Sequence, residues 1–136
     1  MANFRINHLD HVAIRVKDLE LSASWYEKVL GLKRRDVTEW GEFPIFMLSG
    51  TTGLALFPAN SEDPLLPKSS KNVKIDHFAF NVTNNDFNKA QEHYKDLGIS
   101  FQFQDHYHFH SIYTLDPDGN TVELTTLVVD RDSFYK

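Results

Sequence analysis

Residues Leu9–Val16 read Leu-Asp-His-Val-Ala-Ile-Arg-Val, and residues Ile75–Val82 read Ile-Asp-His-Phe-Ala-Phe-Asn-Val. The two octets match at Asp, His, Ala and Val, and most other pairs exchange one apolar residue for another. Apolar and polar residues alternate in both, which is the period of a strand with one buried and one polar face. In the first copy Val12, Ile14 and Val16 share a face, and His11, Ala13 and Arg15 share the other. In the second, His77, Ala79 and Asn81 form the polar face. A duplicated strand with a histidine in one register implies two copies of a structural unit. It also implies two imidazoles, His11 and His77, related by a pseudo-twofold axis, which is the beginning of a metal site.

The stretch after each octet repeats too. After the first, Asp18 is an expected N-cap. Leu21, Trp25 and Val29 recur at helical spacing, and Gly31 closes the helix. Strands are expected over 32–38, 44–49 and 54–57. After the second, Asn84 or Asn85 is the expected cap of a helix striped by Phe87, Ala90, Tyr94 and Leu97 and closed by Gly98. Strands are expected over 100–104, 111–115 and 121–127. Asp116-Pro117-Asp118-Gly119-Asn120 is a turn, with proline presetting φ and glycine available for positive φ. The expected architecture is α+β: two βαβββ modules in tandem, about 8–58 and 75–127, joined by a linker over 59–74 and followed by a tail, 128–136. The whole is one domain over 1–136.

One helix per four strands covers one sheet face. The expectation is that the two open faces form curved mixed sheets around a metal-binding cavity. On the last strand Val122 and Leu124 bracket Glu123, which makes Glu123 a third candidate ligand beside His11 and His77. Two neutral imidazoles and a carboxylate on one side of a divalent ion leave coordination positions open for substrate. This donor set accepts Fe, Mn, Zn, Ni or Co.

The charge balance, 14 basic against 19 acidic residues, argues against nucleic acid as a partner. No apolar run approaches the roughly 20 residues of a membrane span, and the N-terminus lacks a signal-peptide pattern. A cytoplasmic location is expected. The chain has no cysteine, which excludes a disulfide framework, a thiolate metal site and a cysteine nucleophile. Asp10 and Asp76 neighbour the histidines and are expected to point the other way. Eleven phenylalanines exceed what a small core needs; Trp40 and Phe46 are among the aromatics available to line a pocket.

Leu9-Asp10-His11-Val12-Ala13, Trp25-Tyr26-Glu27-Lys28-Val29-Leu30-Gly31-Leu32, Ile75-Asp76-His77 and above all Asp116-Pro117-Asp118-Gly119-Asn120-Thr121-Val122-Glu123-Leu124 resemble the vicinal oxygen chelate superfamily. This is the glyoxalase, bleomycin resistance and dioxygenase fold. The resemblance spans residues 8–127. It implies His11, His77 and Glu123 as ligands of a divalent metal, a small-molecule substrate chelating that metal through adjacent oxygens, and a homodimer. Glyoxalase I carries a further glutamate where this chain has Ala55, so a three-ligand site is implied, as in extradiol dioxygenases and fosfomycin-modifying enzymes.

Extradiol dioxygenases carry a tyrosine at a place similar to Tyr113. His106, His108 and His110 alternate and share one face of a strand. Tyr113, His108 and His110 are accordingly the candidate catalytic groups. Extradiol ring cleavage is the leading expectation. The alternatives are a lyase or isomerase, a fosfomycin-type thiol transferase, and a small-molecule binding protein that confers antibiotic resistance.

Overall fold

The computed structural model describes residues 2–135. Met1 and Lys136, the ends of the expected domain and of its tail, lie outside the described residues. The chain divides into two compact units that meet in sequence at Leu65 and Leu66.

In the first unit the elements are β1 (His11–Val16), α1 (Leu19–Leu30), β2 (Lys33–Arg35), a 3-10 turn (Thr38–Trp40), β3 (Ile45–Ser49) and β4 (Thr52–Pro58). The sheet order is β1-β4-β3-β2. β1 runs parallel to β4, and the remaining pairs are antiparallel. Asp18 caps α1 by accepting from the Leu21 amide at 3.0 Å. Gly31 closes it in the left-handed conformation, at φ 67°, where a side chain would be strained. The helix buries Ser22, Ala23, Tyr26 and Val29, whereas Leu21 is exposed. The expected stripe is therefore rotated by about one residue: Tyr26 is fully buried, and the bulkier Trp25 lies half-buried beside it with ring centroids 4.9 Å apart.

The second unit repeats the plan: β5 (Phe78–Asn81), α2 (Asn84–Asp96), β6 (Gln102–Asp105), β7 (Phe109–Leu115) and β8 (Thr121–Leu127). The order is β5-β8-β7-β6, with β5 parallel to β8. Thr83, and neither Asn84 nor Asn85, caps α2, its hydroxyl accepting from the Asp86 amide at 3.1 Å. The core of this unit is Phe87, Tyr94, Ile112, Val122 and Leu124. A short helix, α3 (Arg131–Phe134), occupies the tail, where no element was expected.

The turn before β8 is built by the buried carboxylate of Asp116. Its Oδ1 accepts from the amides of Asp118 at 2.9 Å and Asn120 at 2.8 Å, and its Oδ2 accepts from the Asn120 side chain at 2.8 Å. This fixes the register of β8 and with it the position of Glu123.

The two βαβββ modules are present, but the expectation of curved mixed sheets around a metal-binding cavity is corrected. There are two separate four-stranded sheets, and among the described residues no three His, Cys, Asp or Glu side chains cluster closely enough to hold a metal ion. The physical reason lies in each unit: its helix covers one face, and on the other Ala13, Arg15, Ala79 and Asn81 are exposed. Arg15 donates to the Pro58 carbonyl at 3.1 Å and lies over the Phe57 ring.

Candidate functional site

Strand register gives the two modules a common coordinate system. Ala13 pairs with Ala55 and Ala79 pairs with Glu123. Ala55 is thus the positional equivalent of Glu123. One strand further on, Phe46 faces Ala55 and Tyr113 faces Glu123. The first module places His11, Phe46 and Ala55 where the second places His77, Tyr113 and Glu123.

In the second module these residues form a hydrogen-bonded chain. Glu123 is buried. Its Oε2 lies 3.0 Å from His77 Nε2, and its Oε1 accepts from the Tyr113 hydroxyl at 3.1 Å. His77 Nδ1 is 2.9 Å from Asp76 Oδ2, and the His77 and Tyr113 rings meet edge to face with centroids 5.9 Å apart. His106 Nε2 is 2.9 Å from the Tyr113 oxygen. The His77 hydrogen bond holds the Asp76 carboxyl below the usual carboxylate range, aided by Lys71 and Lys74. Burial and the neighbouring Glu123 push the Tyr113 phenol above its ordinary range.

The donor set suits a cation. Both ring nitrogens of His77 face carboxylate oxygens. A neutral imidazole with its hydrogen on Nδ1, toward Asp76, directs the Nε2 lone pair at Glu123 Oε2. That contact is repulsive unless the ring carries a second proton or a cation joins the two atoms. A carboxylate behind a ligating histidine is the arrangement that fixes the tautomer in metal sites. His11 has the same backing, with Nδ1 2.7 Å from Asp10 Oδ2. It packs on the Phe46 ring, which in turn contacts Trp40.

Asp10 and Asp76 therefore bind their own histidines instead of turning away. Strand alternation does not govern them, because β1 begins at His11 and β5 at Phe78. The three alternating histidines are also split, because a hairpin turn interrupts the strand between Asp105 and Phe109. His106 reaches Tyr113. His108 packs on Phe134 at 5.5 Å between centroids, and His110 lies 3.7 Å from Asp105 and edge-on to Phe103. These contacts hold His108 and His110 to partners other than Glu123 and His77.

A cleft of about 940 Å³ opens beside this chain within the second unit; Lys71, His77, Gln102, Gln104, Tyr113 and Thr114 are among its walls. Gln102 pairs with Tyr113 across β6 and β7, and Gln104 lies two residues on, so both share the Tyr113 face.

A family model described as the Glyoxalase/Bleomycin resistance protein/Dioxygenase superfamily matches residues 8–124. The chain is 30% identical over 140 residues to the metallothiol transferase FosB of Bacillus licheniformis, covering all of this chain and 86% of the relative. It is 26% identical over 119 residues to the glutathione transferase FosA of Serratia marcescens, covering 88% of this chain and 80% of that protein. Among solved structures, a glyoxalase/dioxygenase from Nostoc punctiforme superposes with a TM-score of 0.78 at 20% identity, covering 95% of this chain and 97% of that one. At that identity the likeness shows the fold alone.

Proposed function

The chain belongs to the glyoxalase, bleomycin resistance protein and dioxygenase superfamily, and from that premise we propose that it is a divalent-metal-dependent enzyme that adds a thiol to a small anionic epoxide. The observation that carries this reading is the buried Glu123 held between His77 and Tyr113 in a chain whose 30%-identical relative is a metallothiol transferase. The same relatives move the reaction away from extradiol ring cleavage, since the dioxygenase likeness rests on fold.

His77 and Glu123 would hold the metal, and His11, with its equally backed imidazole, is the proposed third ligand. When bound, the metal supplies a Lewis acid that polarises an oxygen of the substrate. Asp76 orients His77. Lys71, at the wall of the cleft, attracts the substrate's negative charge. Tyr113 presents a phenol that is protonated at neutral pH and donates to the oxygen released when the ring opens. In that step the thiol sulfur bonds to an epoxide carbon, the carbon–oxygen bond breaks, the oxygen takes a proton from the phenol, and the thiol proton passes to water.

A homodimer is proposed because the segment leading into β1 exposes Phe4, Ile6 and Leu9 and the segment leading into β5 exposes Val73 and Ile75, and clustered exposed apolar side chains mark association surfaces.

The test uses protein loaded separately with Mn(II), Fe(II) or Zn(II), fosfomycin as the probe epoxide, and L-cysteine or glutathione as the thiol. Mass spectrometry is expected to show an adduct equal to the sum of the two reactants. No adduct with either thiol under any metal would overturn the reading, and oxygen uptake with catechol under Fe(II) would return it to ring cleavage.

A further inference from the structure

We infer that His106 is a positioning residue of this site that acts through Tyr113: it holds the phenol oxygen and replaces the proton that Tyr113 gives away. The inference rests on the thiol-addition reading. Tyr113 spends its single hydroxyl hydrogen on Glu123 Oε1 at 3.1 Å. The hydrogen in the 2.9 Å contact with His106 must then belong to the imidazole, which donates from Nε2. When the phenol hydrogen passes to the substrate oxygen, a second proton already lies in line behind it.

The loop is built to hold that ring. The hairpin between β6 and β7 is closed by the His106 amide donating to the Phe109 carbonyl at 2.8 Å and the His108 amide donating to the His106 carbonyl at 2.8 Å. Between them Tyr107 takes a left-handed conformation, φ 68°, and among the described residues no other non-glycine has positive φ. Its amide is caught by Asp105 Oδ1 at 3.0 Å. That region is strained for any L side chain. The Tyr107 ring is exposed, so its own packing does not account for the strain. What the turn does accomplish is to aim His106.

The molecule also contains its own control. In the first module Phe46 occupies the register position of Tyr113, and Trp40, from the connection between β2 and β3, packs on it with centroids 5.6 Å apart. Two apolar rings thus satisfy the same packing requirement. Packing alone does not call for the hydroxyl and imidazole of the second module, whereas proton movement does. The 2.9 Å contact puts a donor nitrogen on the phenol oxygen, where the replacement proton is needed. Atoms and charges balance over the step. The sulfur–carbon bond forms and the carbon–oxygen bond breaks. The phenol proton goes to the oxygen, the Nε2 proton of His106 goes to the phenol, and as it leaves the proton released by the thiol arrives at His106 Nδ1 through water, so the ring stays neutral throughout.

The experiment compares wild type, His106→Phe and His106→Gln in two ways. In the first, metal-loaded protein turns over fosfomycin and L-cysteine. Both variants are expected to lose about 100-fold in kcat with KM held within about twofold. Glutamine supplies a donor without a transferable proton, so recovery of kcat in His106→Gln, or a change confined to KM, would overturn the proton role. In the second, metal-free protein labelled at tyrosine Cζ is read by NMR, with Tyr113 assigned through Tyr113→Phe. The Tyr113 Cζ resonance is expected to move in His106→Phe and to return partway in His106→Gln; an unmoved resonance would overturn the contact itself. A wild type without thiol addition brings down the reading of the reaction and the proton role together, and the Cζ measurement still decides the contact.

Discussion

Glu123 sits at the junction of two hydrogen-bond paths, one through His77 to Asp76 and one through Tyr113 to His106. Replacing it with alanine is expected to abolish metal retention: elemental analysis of chelator-free protein should give about one divalent ion per chain in the wild type and none in Glu123→Ala. Asp76→Asn keeps the ligands and weakens what orients them, so metal affinity is expected to fall about 10–100-fold, measured by competition with a chromogenic chelator. His11 and His77 were legible as candidates because they share one register of a repeated strand, and Glu123 because Val122 and Leu124 bracket it on an alternating one. Asp10, Asp76 and His106 were not. The two aspartates precede the first strand residue, so the pleat does not dictate their direction. His106 lies at a turn whose geometry depends on a strained Tyr107, and no sequence pattern announces an aromatic residue at positive φ.

Among the elements, the turn before β8 carries the most consequence. Asp116→Ala removes the acceptor for two backbone amides and one side-chain amide. A loss of about 2–3 kcal/mol is expected, readable as a lower denaturant midpoint. The helix α2 offers a contrary case. Tyr94 is buried, and its hydroxyl has no hydrogen-bond partner among the described residues. Tyr94→Phe should therefore be neutral to stabilising, by up to about 1 kcal/mol. Burial raises the Tyr94 phenol above its ordinary value near 10. The unfolded chain then ionises at lower pH than the folded one, so this group contributes no penalty below pH about 10 and weakens folding as pH climbs beyond it. Melting temperatures of the two proteins should diverge in favour of Tyr94→Phe above that point. Strand and helix identities were readable from period and capping residues. The exact stripe of α1 and the cap of α2 were not, since the burial of Ser22, Ala23 and Tyr26 and the hydroxyl of Thr83 settled them through packing and local hydrogen bonding.

At the scale of the molecule, duplication was plain in the sequence, and each module has the expected βαβββ succession of elements. What the sequence could not supply was closure of the open faces, because the same alternation describes a sheet face whether or not another surface covers it. If the exposed apolar segments before β1 and β5 meet a second copy, sedimentation should show a dimer, and Val73→Asp with Ile75→Asp should shift it toward monomer with loss of bound metal.

The register equivalence of Ala55 with Glu123, and of Phe46 with Tyr113, divides the chain's tolerance of change unevenly. At these matched positions the first half answers only to shape, and the second answers to shape and to proton and cation chemistry. Under selection for activity, a saturation library should accept aliphatic and aromatic exchange at 40, 46 and 55 while rejecting it at 106, 113 and 123. A lineage carrying this chain would thus drift most freely at these positions of its first module.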